Sequence, residues 1–292
     1  MQFRSPVASL LLSTLFLCIG APVAAQADLG LAGFAERQQA TLKVLPFSDR
    51  DVATAIATLD RMLSVEKDAR KWGDQAGDIL WNFARHLQDG RLTPAQETLV
   101  LKHLDAIATA HPNQADIVSH ARFMVSALTV GKTAPDIVGR DLDGASLRLS
   151  DYRGKVVVLT FSAEWCGICR TLYPYQRLML ELYKNWPFAI VGVETGSSVA
   201  GTKQAKLDAG LPYRSWWDAP GPTGSGAIAS TWNVGGFPTL YVIDRQGVIR
   251  FVDLRYEDLL KGVRQLLSED VAVASAAAAP GTRASQPTPR IN

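Results

Sequence analysis

The sequence predicts an α/β fold, in which helices flank a central mixed sheet and a smaller all-helical domain precedes that sheet. Between positions 28 and 128, apolar residues recur every three or four residues, which is typical of amphipathic helices. After residue 129, short β-branched segments alternate with helical patterns, and a hairpin and a final helix follow. The segment 155–161 is apolar almost throughout, as expected of a central strand covered on both faces.

Composition and charge limit the classes of protein to which this chain could belong. Of the 292 residues, 47% are apolar and 20% are charged, and the net charge is +2. These values are typical of a globular protein and exclude collagen-like, disulfide-rich and wholly disordered chains. The balanced charge indicates no nucleic-acid partner, and the length favours two domains over one.

Both ends of the chain are expected to lie outside the fold. Residues 1–27 have the layout of a secretory signal peptide, with Arg4, an apolar run and a cleavage site after Ala27. The unbroken run is shorter than the roughly 20 residues that span a membrane, which favours cleavage over an uncleaved anchor. Residues 270–292 are rich in alanine and proline without apolar periodicity, so we expect a disordered tail.

Residues 28–128 form the predicted helical domain. Val52, Ile56 and Leu59 recur at helical spacing, and Thr93 followed by Pro94 predicts the start of a further helix. The four histidines of the chain all lie here, at positions 86, 103, 111 and 120. No two of them have the three- or four-residue spacing of metal ligands on a helix, so we expect structural roles and no metal.

Residues 129–269 form the second predicted domain. Asp141–Gly144 is expected to be a turn between two short strands. The elements expected after it are a strand at 155–161, a helix at 170–183, a strand at 188–193, helices at 198–209 and 227–232, a hairpin at 240–252 and a helix at 256–267. This order predicts a layered α/β sheet.

Two cysteines carry the predicted chemistry. Cys18 lies in the predicted leader, so Cys166 and Cys169 are the only thiols expected in the exported chain, where disulfides persist. They directly follow the central strand and open the next helix, where residues three apart share a face and can close a disulfide ring. Unpaired N–H groups at a helix N-terminus lower a thiol pKa. We therefore expect Cys166 to attack a partner disulfide and Cys169 to resolve the mixed disulfide.

Other interpretations of this cysteine pair are weaker. Covalent haem attachment needs CxxCH, and Arg170 occupies the position of the histidine. A zinc site needs further cysteine or histidine ligands, which the sequence 129–269 does not contain. A purely structural disulfide remains open. We expect no metal and no cofactor.

Several motifs that agree in order resemble the thioredoxin superfamily, and within it the exported TlpA/ResA-like thiol–disulfide oxidoreductases. The matching segments are GKTAPD at 131–136, LSDYRGK at 149–155, FSAEWC at 161–166, Pro174 and GFPT at 236–239. They extend over 131–267, about half of the chain. The helical domain has no counterpart in this resemblance.

The resemblance implies a thioredoxin-like fold and dithiol–disulfide exchange with protein substrates in the periplasm. It favours reduction over oxidation, and it implies an upstream electron donor and roles in redox homeostasis and cytochrome maturation. Any contact with the membrane would be transient or made through a redox partner. The oligomeric state stays open.

The resemblance also implies site residues. Pro238 matches a cis-proline that faces the CxxC loop and leaves the backbone of Phe237 free to pair with a substrate strand, next to Trp165. Glu194 matches an acidic residue near the second cysteine that relays a proton, although a solvated loop glutamate stays open. Glu164 would raise the pKa of Cys166 if its carboxylate faced the thiol.

Departures from the family pattern leave two further functions open. Ile168 stands where the family usually has proline, so the direction of electron flow is open. The first alternative is a docking module whose binding to a partner depends on the redox state of the thiols. The second is a thiol peroxidase, although Ala163 stands where that chemistry wants threonine or serine.

Overall fold

The computed structural model describes residues 42–65, 69–221 and 226–278. The predicted signal peptide, the first part of the predicted helical domain and residues 279–292 lie outside the described residues. Four helices come first, and they confirm the helical prediction for this part of the chain. They are α1 (Asp49–Val65), α2 (Ala69–Gln88), α3 (Pro94–Ala110) and α4 (Ala115–Ala127), with a 3₁₀ turn at Pro112–Gln114. We call residues 49–127 the helical segment.

Helix α3 begins where the sequence predicts. The Thr93 hydroxyl accepts from the backbone N–H of Gln96 at 3.2 Å, and the Gln96 side chain accepts from the N–H of Thr93 at 2.9 Å. This capping box satisfies two donors that would otherwise have no partner. The Gln96 amide also donates to the Phe47 carbonyl and to the Asp49 carboxylate, so the cap ties α3 to the start of α1.

A five-stranded mixed sheet follows the helical segment and confirms the predicted fold class. Its strands are β3 (Val156–Ala163), β4 (Phe188–Thr195), β5 (Ser215–Trp217), β6 (Thr239–Ile243) and β7 (Ile249–Val252), preceded by the hairpin β1 (Val138–Arg140) and β2 (Ser146–Arg148). The strand order is β5-β4-β3-β6-β7. Central β3 is parallel to β4 and antiparallel to β6, and all its residues are buried.

The helices around the sheet agree with the sequence except at two places. They are α5 (Gly167–Arg170), α6 (Tyr173–Leu182), α7 (Val199–Asp208), α8 (Ala227–Thr231) and α9 (Tyr256–Ala278). The single helix predicted over 170–183 is interrupted before Tyr173, because Pro174 lacks the N–H that a continuous helix needs. Helix α9 passes residue 270, where the tail was expected to begin, since the alanines there favour helix.

The helical segment and the sheet share one hydrophobic core. Leu80 and Leu87 of α2 belong to the same buried cluster as Phe161 of β3, Trp232 and Tyr241 of β6. The helical segment therefore packs against the sheet within this shared core. None of the described helices has the length and apolar character needed to cross a membrane.

Candidate active site

The two cysteines lie where the central strand passes into a helix. Strand β3 ends at Ala163, and Cys166 is the N-cap residue of α5. The backbone N–H of Cys169 donates to the sulfur of Cys166 at 3.1 Å, and the two sulfurs form a disulfide. A thiolate at position 166 would meet the same N–H group, and such a donor stabilises the anion.

The two cysteines differ little in burial but are surrounded by exposed apolar groups. The exposed fraction is 6% for Cys166 and 2% for Cys169, whereas Trp165 and Ile168 are 62% and 64% exposed. The disulfide therefore lies beneath an apolar rim.

The loop 233–238 faces Cys166; we call it the cis-proline loop. The Phe237–Pro238 peptide bond is cis, and the Phe237 carbonyl oxygen is 3.6 Å from the sulfur of Cys166. The rings of Phe237 and Trp165 meet edge to face, with their centroids 5.9 Å apart. The three residues predicted to bind substrate thus lie around the sulfur that is predicted to attack.

Glu194 is buried within the sheet rather than solvated in a loop. It is paired in register with Ser162 of β3, the strand that leads to the cysteines. The Nζ atom of Lys206 is 3.4 Å from its Oε1 atom and donates to the Ser215 hydroxyl at 2.8 Å. The same Nζ lies 3.4 Å from the centroid of the Tyr213 ring. A buried carboxylate with a cation partner therefore adjoins the strand that leads to the cysteines.

Lys206 is a residue that sequence reasoning missed. Burial lowers the pKa of the Lys206 ammonium, and the charge of Glu194 opposes this shift. A lysine in the last turn of a short helix is usually exposed, so its position in the sequence carried no signal. Only the packing of α7 against β4 and β5 brings it to Glu194.

The Glu164 carboxylate accepts hydrogen bonds from two hydroxyl groups and one backbone N–H group. It accepts from the N–H of Ser197 at 2.8 Å, from the Ser197 hydroxyl, and from the Thr202 hydroxyl at 2.7 Å. The hydrogen bond from the Ser197 side chain holds the pKa of Glu164 below its usual value, although burial opposes this. Glu164 thereby ties the segment before Cys166 to the start of α7.

A cluster that could hold a metal ion is not found among the described residues. All four histidines, at positions 86, 103, 111 and 120, lie in the helical segment, as the sequence indicates. His103 pairs with Asp60 at 2.7 Å. The groups that contact the sulfur of Cys166 are the sulfur and backbone N–H of Cys169 and the carbonyl oxygen of Phe237.

The chain is similar to known proteins over this part of its length. A profile of the AhpC/TSA family matches residues 130–252. The thiol–disulfide oxidoreductase ResA of Geobacillus kaustophilus is 34% identical over 125 residues, which are 43% of this chain and 69% of that protein. The thioredoxin-like protein YneN of Bacillus subtilis is 32% identical over 123 residues, 41% of this chain and 68% of that protein.

Solved structures also resemble this chain. One is the thioredoxin domain of a thiol–disulfide oxidoreductase from Bacteroides vulgatus, which is 28% identical. The similarity covers 48% of this chain and 99% of that domain, with a TM-score of 0.44.

Proposed function

The chain belongs to the ResA-like thiol–disulfide oxidoreductases, with a thioredoxin-like domain, and we propose that it reduces disulfides of exported protein substrates. The observation that carries the proposal is the hydrogen bond from the Cys169 N–H to the sulfur of Cys166 at the N-cap of α5. A thiol in that position ionises more readily than a free thiol, and the thiolate is the nucleophile.

The exchange runs in two displacement steps. The Cys166 thiolate attacks one sulfur of the substrate disulfide, forms a mixed disulfide and releases the other substrate sulfur as a thiolate. Cys169 then loses its proton and attacks the sulfur of Cys166, which closes the ring and releases the second substrate sulfur. The substrate gains two electrons and, with two protons, becomes a dithiol. An upstream thiol donor restores the pair by the reverse steps.

Glu194 is proposed to accept the proton that Cys169 loses. Its burial in the strand next to β3, which leads to the cysteines, supports this role, because a positioned carboxylate can accept a proton without access to bulk water. Trp165, Phe237 and Pro238 are proposed to bind the substrate. The Phe237 carbonyl lies against the attacking sulfur, so a substrate strand paired with this backbone would bring its own disulfide to Cys166.

Export to the periplasm and the direction of electron flow are inferred from the sequence rather than from the geometry of the site. Export to the periplasm is supported by the leader pattern at 1–27 and by the CxxC pair as the only thiols that follow it. Reduction, including reduction during cytochrome maturation, is supported by the resemblance of motifs 131–136, 149–155, 161–166 and 236–239 to the TlpA/ResA-like family. The reduction potential tests direction: a reductant should lie near thioredoxin at about −270 mV, and a value near about −120 mV would indicate an oxidant.

Insulin reduction tests the activity itself. The reduced protein should precipitate insulin chains, and Cys166→Ser should lower turnover to the uncatalysed rate because Cys166 is the thiol proposed to start the exchange. Cys169→Ser should instead accumulate a mixed disulfide with the substrate, since the resolving thiol is absent. A Cys166→Ser, Cys169→Ser double variant with full biological activity would favour a docking module. Peroxide consumption that depends on Cys166 would favour a peroxidase.

A further inference from the structure

One face of α2 contacts the cis-proline loop and the residues that anchor it. The side chains of Trp81, Arg85 and Gln88 are spaced by four and three residues, so they share this face. All three form hydrogen bonds to residues of the thioredoxin-like domain or to the segment that leads into it. The helical segment thus reaches the loop that borders Cys166.

Trp81 contacts the loop directly. Its Nε1–H donates to the carbonyl oxygen of Asn233 at 3.0 Å. Its ring packs so closely on Gly235 that a Cβ atom there would lie 2.6 Å from the ring. Asn233 has a φ of 48°, a left-handed conformation that asparagine tolerates better than most residues. The backbone conformation of the cis-proline loop and the position of the Trp81 indole therefore fit each other closely.

Arg85 reaches the other end of the loop through two further residues. Its Nη2 donates to the Asp253 carboxylate at 2.8 Å. The second oxygen of Asp253 pairs with Arg255 at 3.0 Å, and Arg255 donates to the Pro238 carbonyl at 2.7 Å. Asp253 also accepts from the N–H of Leu240 at 2.9 Å. A continuous chain of polar contacts thus runs from α2 to the cis-proline.

Gln88 is the third residue on this face of α2. It is buried, and its amide donates to the Leu128 carbonyl at 3.2 Å, with the Tyr241 hydroxyl 3.5 Å away. Tyr241 lies on β6, the strand that begins directly after Pro238. This contact fixes α2 relative to the strand that anchors the loop.

We propose that this face of α2 is a positioning element that holds the cis-proline loop against Cys166, which makes the helical segment part of the substrate-binding machinery. The inference rests on the proposed function, because it requires a substrate strand that pairs with Phe237. A loop that is already held in its binding conformation loses less conformational entropy when it binds. A functional group must also be held within about 0.5 Å of its working position to be effective.

A role in packing alone would not explain these contacts. Trp81 and Arg85 are only half-buried, and each uses a polar atom to bind the loop or its anchor. A cavity of about 380 Å³ borders the same contact and is lined by Asp78, Trp81 and Asn233, among others. The loop has space to relax into this void if the indole is altered. Loss of the contact should therefore move the loop before it unfolds the protein.

The first test compares two disulfides. Trp81→Phe keeps an aromatic ring and removes the Nε1 donor. We expect kcat/KM for insulin to fall about 3- to 10-fold, the worth of one hydrogen bond, mainly through a higher KM. Reaction with the small aromatic disulfide DTNB, which has no strand to pair with Phe237, should stay within about twofold. Trp186→Phe makes the same change at an exposed tryptophan that contacts Tyr183, and both rates should be retained.

The second test uses the close approach at Gly235. Gly235→Ala should lower the insulin rate more than Trp81→Phe does, because its methyl group meets the indole. In a Trp81→Leu background the same Gly235→Ala substitution should cost at least about threefold less, since the clash is gone. Additive losses, or equal losses with insulin and DTNB, would overturn the positioning role.

Hydrogen exchange separates this inference from the proposed function. Backbone amides at 234–240 should exchange faster in Trp81→Phe than in Trp186→Phe, with midpoints of thermal unfolding within about 4 °C of each other. Unchanged exchange in this segment contradicts the inference whatever the activity. A wild-type protein that reduces DTNB but not insulin contradicts the proposed function, while the exchange result still decides whether α2 holds the loop.

Discussion

The two sides of the candidate active site differ in how far along the chain their supports lie. On the cysteine side, the sulfur of Cys166 accepts from the N–H of Cys169, three residues away, and the Glu164 carbonyl accepts from Arg170, six residues away. On the cis-proline side, the Asn233 carbonyl accepts from Trp81, which is 152 residues away. The attacking sulfur is held locally, and the surface facing it is held by a distant helix.

This difference separates the thiol chemistry from the selection of substrate. The AhpC/TSA profile matches residues 130–252, which include the cysteine side and the loop but not α2. The N–H donor to the attacking sulfur needs only a strand that runs into a helix with a cysteine at its N-cap. The other side depends on how this chain packs its helical segment. Four predictions sharpen or break the comparison, and they run from the largest expected effect to the smallest.

Removing core contacts of α2 should weaken the fold without changing the thiol chemistry. Leu87 is fully buried in the core shared with the sheet, so Leu87→Ala should lower the free energy of unfolding by about 2–5 kcal/mol. The thiol pKa of Cys166 in the folded protein should not change, because its N–H donor is local. Urea unfolding and the pH dependence of alkylation measure the two effects. The matched control, Leu207→Ala at an exposed position of α7, should cost less than about 0.5 kcal/mol.

Glu194→Gln tests the one part of the cysteine side that comes from a neighbouring strand. Loss of the proton acceptor should slow resolution of the mixed disulfide about a hundredfold and leave the first attack by Cys166 nearly unchanged. Single-turnover quenched-flow measurements distinguish the two steps. Glu181→Gln, at an exposed glutamate of α6, serves as control. Equal slowing of both steps would show that Glu194 acts through the fold rather than on Cys169.

Arg85→Met interrupts the polar chain to the cis-proline side. We expect about a tenfold loss of kcat/KM for insulin and little change with DTNB, because a hydrogen bond to a charged group is worth about 1.5–3 kcal/mol, part of which is recovered by solvent. Steady-state assays with both substrates measure this. Arg61→Met, at an exposed position of α1, should keep both rates. A parallel loss with both substrates would contradict separate control of the two sides.

Ser197→Ala tests the smallest support, on the cysteine side. The Ser197 hydroxyl holds the pKa of Glu164 below its unfolded value, so its contribution to stability is complete above the unfolded pKa and is lost as the pH falls through the folded pKa. The variant should be less stable than the wild type by about 0.5 kcal/mol at pH 7, and by less below about pH 4. Urea unfolding at both pH values measures this. Ser268→Ala should have no such pH dependence.

Much of the fold could be predicted because its elements are set by nearby residues. The buried strand β3, the start of α3 at Pro94 and the hairpin of β6 and β7 all follow from patterns a few residues long. The apolar pattern alone predicts one helix over 170–183, whereas the family resemblance places a kink at Pro174, and the helix is interrupted directly before Tyr173. Strand β5 was missed because three residues, Ser215–Trp217, are too few to form a pattern.

The sequence by itself determined the chemistry of this protein. A cysteine at the N-cap of a helix, with a second cysteine three residues on, needs only local backbone geometry, which short patterns encode. Tertiary structure alone decided that Lys206 reaches Glu194 and that Trp81 reaches Asn233. Residues far apart in the chain meet only when the whole core packs, and many residues contribute to that packing without any of them marking the contact.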